Sequence, residues 1–298
     1  MIEQVPAKFQ LKTNIEYPKG NYIVFEEWFM NYMIDNQPDT NGYTYLPIMW
    51  NSYYIEKHHG NISMSDLQHY LNELDTSKKY FTIVQPDDGV LLDIKHLDIL
   101  VFGQCGGGIL WETQLFPEPK NIGYAIPLNC MPTKKIQRDK DIFASFIGMV
   151  KGRHICREKM EKELGSYCFI KDTVGVEHIN GSNYNEFIDV MSRSIFSLSP
   201  RGYGAASYRI CESLQHGSIP VYISDRLWIP WKDEFDFNEI GISIHIDDIK
   251  DLKSILFSKT TDDIEKYLEN GKRIYKEYFE YEGCAKKIIE KIQSERNN

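Results

Sequence analysis

The sequence contains no Cys-x-x-Cys pair. Its six cysteines, at positions 105, 130, 156, 168, 211 and 284, are scattered over 298 residues. That excludes a closely spaced disulfide or zinc framework and is expected of reduced thiols. No run of 18 apolar residues exists, so no membrane-spanning helix is predicted. The first ten residues, Met1 to Gln10, lack the basic stretch and apolar core of a secretory leader. These absences predict a cytoplasmic chain without a membrane span. Positive charge is also short. The 34 Lys and Arg against 43 Asp and Glu leave a net charge of −9, the wrong sign for a protein that grips a nucleic-acid backbone. There is no internal repeat, and no G-x-G-x-x-G follows the first predicted strand, Tyr22–Phe25. A dinucleotide-dependent epimerase or dehydrogenase would carry one there.

What is present is an ordinary globular composition, 42% hydrophobic and 26% charged, long enough for two domains of about 140 residues. Short apolar runs at Tyr43–Trp50, Tyr80–Val84 and Asp98–Phe102 read as strands. Ser65–Leu74, with leucines at 67, 71 and 74, reads as a helix. A polar, basic stretch from Pro127 to Asp141 reads as a linker. Strand Ile142–Ile147, helix Ile155–Leu164, a helix around Phe187–Met191 and strand Ile195–Leu198 then open a second unit. Two helices between Thr261 and Ser294 finish the chain. Strands alternating with helices predict parallel sheets. We therefore expect an α/β protein of two units, residues 1–135 and 136–298, with the last helix able to pack back on the first unit. The ligand is expected in the cleft between them.

The densest chemistry lies in Ser199-Pro-Arg-Gly-Tyr-Gly-Ala-Ala-Ser-Tyr-Arg-Ile-Cys-Glu-Ser-Leu-Gln-His-Gly-Ser-Ile-Pro-Val-Tyr-Ile223. This reads as strand, tight loop, short helix, glycine stop and buried strand. Pro200, Gly202 and Gly204 make a sharp turn, and the backbone amides there, with Tyr203 among the substrate-binding candidates, can approach an anion. A helix starting at Ala205 or Ser207 offers free N–H groups to a phosphate. Arg201 is expected to add a bidentate charged donor. Glu212, about a turn and a half into the helix, is placed to accept ribose hydroxyls. Arg209, three residues earlier, shares its face. The pattern predicts a diphosphate grip at one end and a ribose grip at the other. An ordinary α/β loop with an Arg209–Glu212 surface pair is the plainer reading.

These residues resemble the C-terminal signature of exostosin-like glycosyltransferases. Further segments follow in the family's order: Tyr80-Phe-Thr-Ile-Val-Gln-Pro-Asp-Asp-Gly89, Phe116 to Pro127, and Phe143-Ala-Ser-Phe-Ile-Gly148 with Arg157-Glu-Lys-Met160. The resemblance covers roughly residues 75 to 290. It implies a GT-B fold, two Rossmann-like domains facing a central cleft with the donor held by the C-terminal one. It also implies inversion at the anomeric carbon and no essential metal. Carried over by position, Glu212 binds ribose, Arg201 and Ser207 bind diphosphate, and Arg157 is a second cation. Arg209 contacts the diphosphate or braces Glu212. The implied donor is a UDP-sugar, with UDP-xylose first and galactose, glucuronic acid and arabinose behind, and the acceptor is a glycan hydroxyl. The similarity is to short bacterial or algal-virus members and to plant xylosyltransferases. A viral member would work in its host's cytoplasm.

An inverting transfer calls for a base on the acceptor side. Asp87 and Asp88, at the end of a predicted strand, are the candidates, with Glu112 second. A solvated Asp-Asp-Gly turn is the alternative. The Gly106–Gly108 run lets a substrate approach the backbone or simply makes a tight connection. His58-His59 lacks a third ligand at metal-binding spacing. Asp139-Lys-Asp141 reads as solvated linker charge rather than a metal-holding D-x-D. Trp50, Trp111, Trp228 and Trp231 either stack on sugar rings or pack in cores, and the Leu227–Trp231 stretch is expected near the sugar. A non-catalytic nucleotide- or sugar-binding module, or another nucleotide-sugar-modifying Rossmann enzyme, is the competing functional class.

Overall fold

The structure is a computed structural model. It describes residues 1–11, 23–58, 63–105, 123–130, 138–152, 154–173 and 181–295. Two all-parallel sheets organise the chain. The first has strands in the order β1 (Tyr43–Tyr45), β2 (Lys79–Val84), β3 (Asp98–Gly103), β4 (Tyr124–Ala125), and a single parallel bridge joins Ile2 to Tyr45. The second has the order β6 (Phe169–Asp172), β5 (Ile142–Gly148), β7 (Ser194–Pro200), β8 (Ile219–Ser224), β9 (Ile242–His245). Parallel pairing demands crossovers, and helices supply most of them. Helices α2 (Trp50–His58) and α3 (Met64–Asn72) join β1 to β2. In the second sheet α4 (Ile155–Leu164), α5 (Gly181–Arg193) and α6 (Tyr208–Gln215) join successive strands up to β8. Each sheet is therefore Rossmann-like, as the alternation predicts.

The order β6-β5-β7-β8-β9 has a consequence for binding. The chain leaves β5 toward one edge and returns on the other side to make β7. Beyond the carboxyl ends of β5 and β7 the connections diverge and leave a crevice, where open α/β sheets bind ligands.

Burial explains the strand sequences. Along β2, Phe81 and Ile83 face a core shared with the second sheet, and Tyr80 and Val84 face a core closed by α2 and α3. This is the two-residue period of a strand covered on both faces. Two boundaries differ from expectation. The Tyr43–Trp50 run stops as a strand at Tyr45, because Pro47 has no N–H for a ladder, and Trp50 opens α2. Ile23 and Val24 belong to no strand, and Phe25 starts helix α1 (Phe25–Asn36) with the extended Val24 as its N-cap. Tyr22 lies outside the described residues.

The C-terminal helices join the two sheets. After α7 (Ile249–Phe257), a capping box between Thr260 and Asp263 starts α8 (Thr261–Ile274). A π-helical turn, Tyr275–Phe279, leads into α9 (Tyr281–Ser294). Helix α9 packs on α1 of the first sheet: the Phe25 and Tyr281 rings meet edge to face at 5.2 Å, and Tyr281 Oη–H donates to the Ile23 carbonyl at 3.0 Å. All six cysteines are free thiols. Among the described residues no helix is long and apolar enough to cross a membrane.

The turn into α9 depends on Gly283. An added methyl group there would lie 2.2 Å from the Lys276 carbonyl oxygen and 2.7 Å from that of Glu277. Both are backbone atoms that cannot swing away. Gly283→Ala is expected to destabilise the protein by about 1–3 kcal/mol, read as a lower urea midpoint with an unchanged slope.

Candidate functional site

The carboxyl-end loops of the two sheets meet. From the first sheet come Gln85–Gly89 after β2, Gln104 and Cys105 after β3, and Ile126–Cys130 after β4. From the second come Arg201–Ser207 after β7 and the segment after β8 that begins at Asp225. Gln85 Nε2–H donates to Tyr208 Oη at 2.7 Å, joining the end of β2 to the first residue of α6. Trp231 N–H donates to the Ala125 carbonyl at 2.9 Å, joining the loop after β8 to β4. The amide of Cys130 donates to Cys211 Sγ at 3.1 Å.

Arg201 is fully buried. Its Nη1 donates to Asp225 Oδ1 at 2.7 Å and its Nη2 to the Tyr203 carbonyl at 2.8 Å. The first bond crosses from β7 to β8, and the second folds the loop back on itself. The expected diphosphate donor is thus turned inward as the brace of the loop, because an interior guanidinium must be paired where it lies. Burial raises the pKa of Asp225. The hydrogen bond and charge of Arg201, with the charge of His154, outweigh that and hold the carboxyl below its usual value. His154 Nδ1 accepts the Cys156 amide at 3.2 Å, so its Nε2 faces Asp225 Oδ2, 3.5 Å away. His154, Cys156 and Asp225 hold metal-ligand-type atoms within 4.8 Å of one another. Each is committed elsewhere: Asp225 to Arg201, His154 Nδ1 to the start of α4, and Cys156 as a thiol whose pKa is pushed up to about 11 by burial and by Asp225. This set supports the Arg201 brace from behind.

Arg157 lies at the crevice. Its Nε donates to the Arg201 carbonyl at 3.0 Å and its Nη1 to the Met149 carbonyl at 2.7 Å, linking the loops that leave β5 and β7. Its Nη2 is 3.3 Å from where a side chain on Gly202 would begin. Arg209 closes on the same place, its guanidinium 3.5 Å from the corresponding point on Gly148. The Arg209 guanidinium stacks on Phe187 at 4.5 Å and Phe146 at 5.1 Å, and Phe146 also carries Arg157 at 5.6 Å. Arg209 Nε donates to Glu212 Oε2 at 3.2 Å. Burial raises the pKa of Glu212, and Arg209 partly offsets that. Of the two roles open to Arg209, bracing Glu212 is the one visible here. Ser207 is the N-cap of α6, but its side chain does not cap that helix. Ser207 Oγ–H donates instead to the Pro200 carbonyl at 3.3 Å. The first-turn amides of α6 are left to other partners.

Asp87 reaches this loop from the first sheet. A methyl group on Gly204 would lie 2.1 Å from Asp87 Oδ1, so the carboxyl occupies the space a side chain would need. Burial raises the pKa of Asp87 and the neighbouring Asp88 adds to that. A Cys105 hydrogen bond and the Arg201 charge lower it, leaving a net rise. Asp88 sits in the same turn, closed by the Gly89 amide donating to the Pro86 carbonyl at 3.1 Å.

The other candidates fall elsewhere. Trp50 is buried, with Nε1–H donating to Thr82 Oγ1 at 2.9 Å, and Trp231 is buried against Tyr278. Trp228 packs with Cys105, Leu128 and Ala206 along the seam between the sheets. Asp141 pairs with Arg193 just before β5, at the opposite end of the strands from the crevice. His58 closes α2. Glu112, Trp111, the Gly106–Gly108 run and His59 lie outside the described residues. Three contributors were not anticipated. Asp225 directly follows a buried strand, a position that could have singled it out. His154 is the N-cap of α4. Glu26 is fully buried, and its carboxylate accepts the Gln85 amide at 2.6 Å and the Asn51 amide at 3.0 Å. Burial pushes its pKa up to about 8 against those two bonds. Reading Tyr22–Phe25 as a strand hid its place in the first turn of a helix.

The chain is similar to known proteins over part of its length. Residues 112–259 match the Exostosin GT47 domain. A probable glucuronosyltransferase of Oryza sativa subsp. japonica is 38% identical over 78 residues, 26% of this chain and 18% of that protein. An Exostosin-1 homolog of Caenorhabditis elegans is 29% identical over 93 residues, 31% of this chain and 24% of that protein. The matches thus span less than a quarter of either relative's length. Among solved structures, Anabaena Alr3699/HepE in complex with UDP-glucose aligns over 85% of this chain and 79% of that one, with a TM-score of 0.46 and 10% identity. The matched domain contains β5 to β9, the loop after β7 and every arginine of the crevice, and by it the chain belongs to the exostosin-like glycosyltransferase family.

Proposed function

We propose that this chain is an inverting, metal-independent glycosyltransferase that moves a sugar from a UDP-sugar to a glycan hydroxyl. Residues 136–298 hold the donor, and residues 1–135 present the acceptor. The observation that carries this reading is the meeting of Asp87 with Gly204, which sets a carboxyl of the first sheet against the anion-type loop of the second. Glu212 accepts the ribose hydroxyls. The amides of Gly202, Tyr203 and Gly204, Ser207 and the uncapped start of α6 hold the diphosphate. Arg157 and Arg209 carry positive charge to it, and Arg201 keeps the loop in shape. In the transfer step the acceptor oxygen attacks the anomeric carbon as the bond from that carbon to the UDP oxygen breaks. The acceptor proton passes to Asp87, with Asp88 as the neighbouring alternative. Negative charge grows on the departing diphosphate, where fixed amides and arginines stabilise it.

UDP-xylose is the first donor to test. The match to relatives named probable glucuronosyltransferases favours UDP-glucuronic acid as the second. Slow donor hydrolysis across a panel of UDP-sugars decides both the class and the donor. Release of UDP from one sugar well above the others is expected, at a rate that EDTA changes by less than about twofold. No turnover of any UDP-sugar would leave a binding module.

The two halves of the site separate by mutation. Glu212→Ala is expected to weaken UDP binding about 10- to 100-fold, the worth of hydrogen bonds to a charged group. Asp87→Asn is expected to leave UDP binding intact and lower transfer by about 10²–10⁴. Calorimetry and a UDP-release assay read the two effects. Undiminished transfer by the Asp87 variant would move the base to Asp88.

The acid limb of the pH profile tests Asp87 further. A base works only when unprotonated, so activity falls as pH drops through its pKa, and the raised pKa of Asp87 places that fall at higher pH than for an ordinary Asp. The Cys105 hydrogen bond favours the charged carboxylate. Cys105→Ala is expected to move the acid limb of kcat/KM to higher pH.

A further inference from the structure

A second cavity lies at the other end of the C-terminal sheet. Its volume is about 490 Å³, within the roughly 300–1,000 Å³ range of small-molecule sites. Lys140 precedes β5, Ser192 precedes β7, and Gly217 and Ser218 precede β8, so the amino ends of these parallel strands form one wall. Helices α6 and α8 form the rest, with Leu214, Tyr267 and Leu268 as an apolar floor. At about 3.3 Å per residue, the seven residues of β7 put this cavity roughly 20 Å from the crevice.

Among the described residues the lining includes three cations, Arg138, Lys140 and Lys272, and no carboxylate. In a chain with 43 acidic and 34 basic residues, that composition runs against the surface average. Lys140 is the most informative of the three. Its Nζ donates to the Ser192 carbonyl at 2.8 Å, and among the described residues no carboxylate pairs with it. Burial alone pushes its pKa down to about 8. A carbonyl at the end of α5 accounts for one of its three N–H donors and for none of its net charge. Arg138 faces Asp189 at 3.5 Å, and both are half-exposed, so solvent weakens the pair.

We propose that this cavity binds a small organic phosphate, its phosphoryl oxygens on Lys140, Arg138 and Lys272 and its organic body on Tyr267, Leu268 and Leu214. The ligand is organic because a lone phosphate would leave most of the volume and the apolar floor unused. Helix α6 connects the two places, since Tyr208, Arg209 and Glu212 stand at or near its start and Leu214 and Gln215 close the cavity at its end. Occupancy of the cavity thus bears on the helix that carries the ribose carboxylate.

The assay is calorimetric titration of the whole chain with phenyl phosphate and, separately, inorganic phosphate. Phenyl phosphate is expected to bind about tenfold tighter. Lys140→Met and Lys272→Met are each expected to weaken it about tenfold, the loss of one charge-assisted contact. Arg157→Met, at the crevice, is expected to leave it unchanged. Lys272 is exposed, so its variant decides the matter if Lys140→Met fails to fold. Three results would overturn the proposal: loss of binding in Arg157→Met but not in the lysine variants, equal affinity for the two probes, or no heat from either at millimolar concentration. None depends on whether a UDP-sugar is turned over.

Discussion

Arg201 carries a full charge with no access to water, and the loop after β7 is built around the need to pair that charge. An isolated interior guanidinium is too costly to keep. Asp225 on the adjacent strand and the carbonyl of Tyr203 supply its partners. Both bonds constrain the backbone after β7. One ties the loop to the end of β8, and the other makes the chain double back at Tyr203. With the loop closed in this way, Gly202 and Gly204 are the points at which Arg157 and Asp87 approach it. At Gly204 the Asp87 carboxyl already occupies the space a Cβ would take, and at Gly202 a Cβ would meet Arg157 in a tight contact at 3.3 Å.

The same demand reaches back through a further layer. Asp225 pairs with Arg201 and faces His154, whose orientation is set by capping α4. Helix α4 also carries Arg157. One interior charge therefore fixes a strand end, a helix start and the arginine between them. The opposite wall of the cleft is set by packing rather than charge. The π-turn and α9 cross from the second sheet to α1 of the first, and one continuous core contains Phe29 and Phe81 beside Tyr222, Tyr275 and Ile288. Through that core the position of Asp87 against Gly204 depends on residues far from both.

Much of this was legible in the order of residues, and the rest was not, for physical reasons. Strands and helices of the second unit stand out because both faces of a parallel sheet are apolar. β8 reads Ile-Pro-Val-Tyr-Ile and is buried throughout. The Arg209–Glu212 pair was legible from helical spacing, and Asp87 from its place after a strand. The direction of Arg201 was not. A sequence shows that an arginine lies in a loop, but its partner Asp225 lies 24 residues on, brought near only by parallel pairing of β7 with β8. Glu26 was hidden for another reason. Ile-Val-Phe is as good a strand start as a helix lead-in, and only the tertiary contact of its carboxylate with Gln85 and Asn51 settles which.

With Arg201 turned inward, the guanidinium groups that line the crevice are those of Arg157 and Arg209. Both lie against the face of Phe146, and Arg209 also lies against Phe187. Stacking orients a guanidinium without consuming its hydrogen-bond donors, so the planar groups stay pre-organised. Arg157 spends two N–H groups on the Arg201 and Met149 carbonyls, and those bonds point its Nη2 toward Gly202. A lysine in either place would lose both the stacking and the fork. The two arginines over aromatic rings thus stand on helices α4 and α6, while the third is held inside, in the loop between β7 and α6.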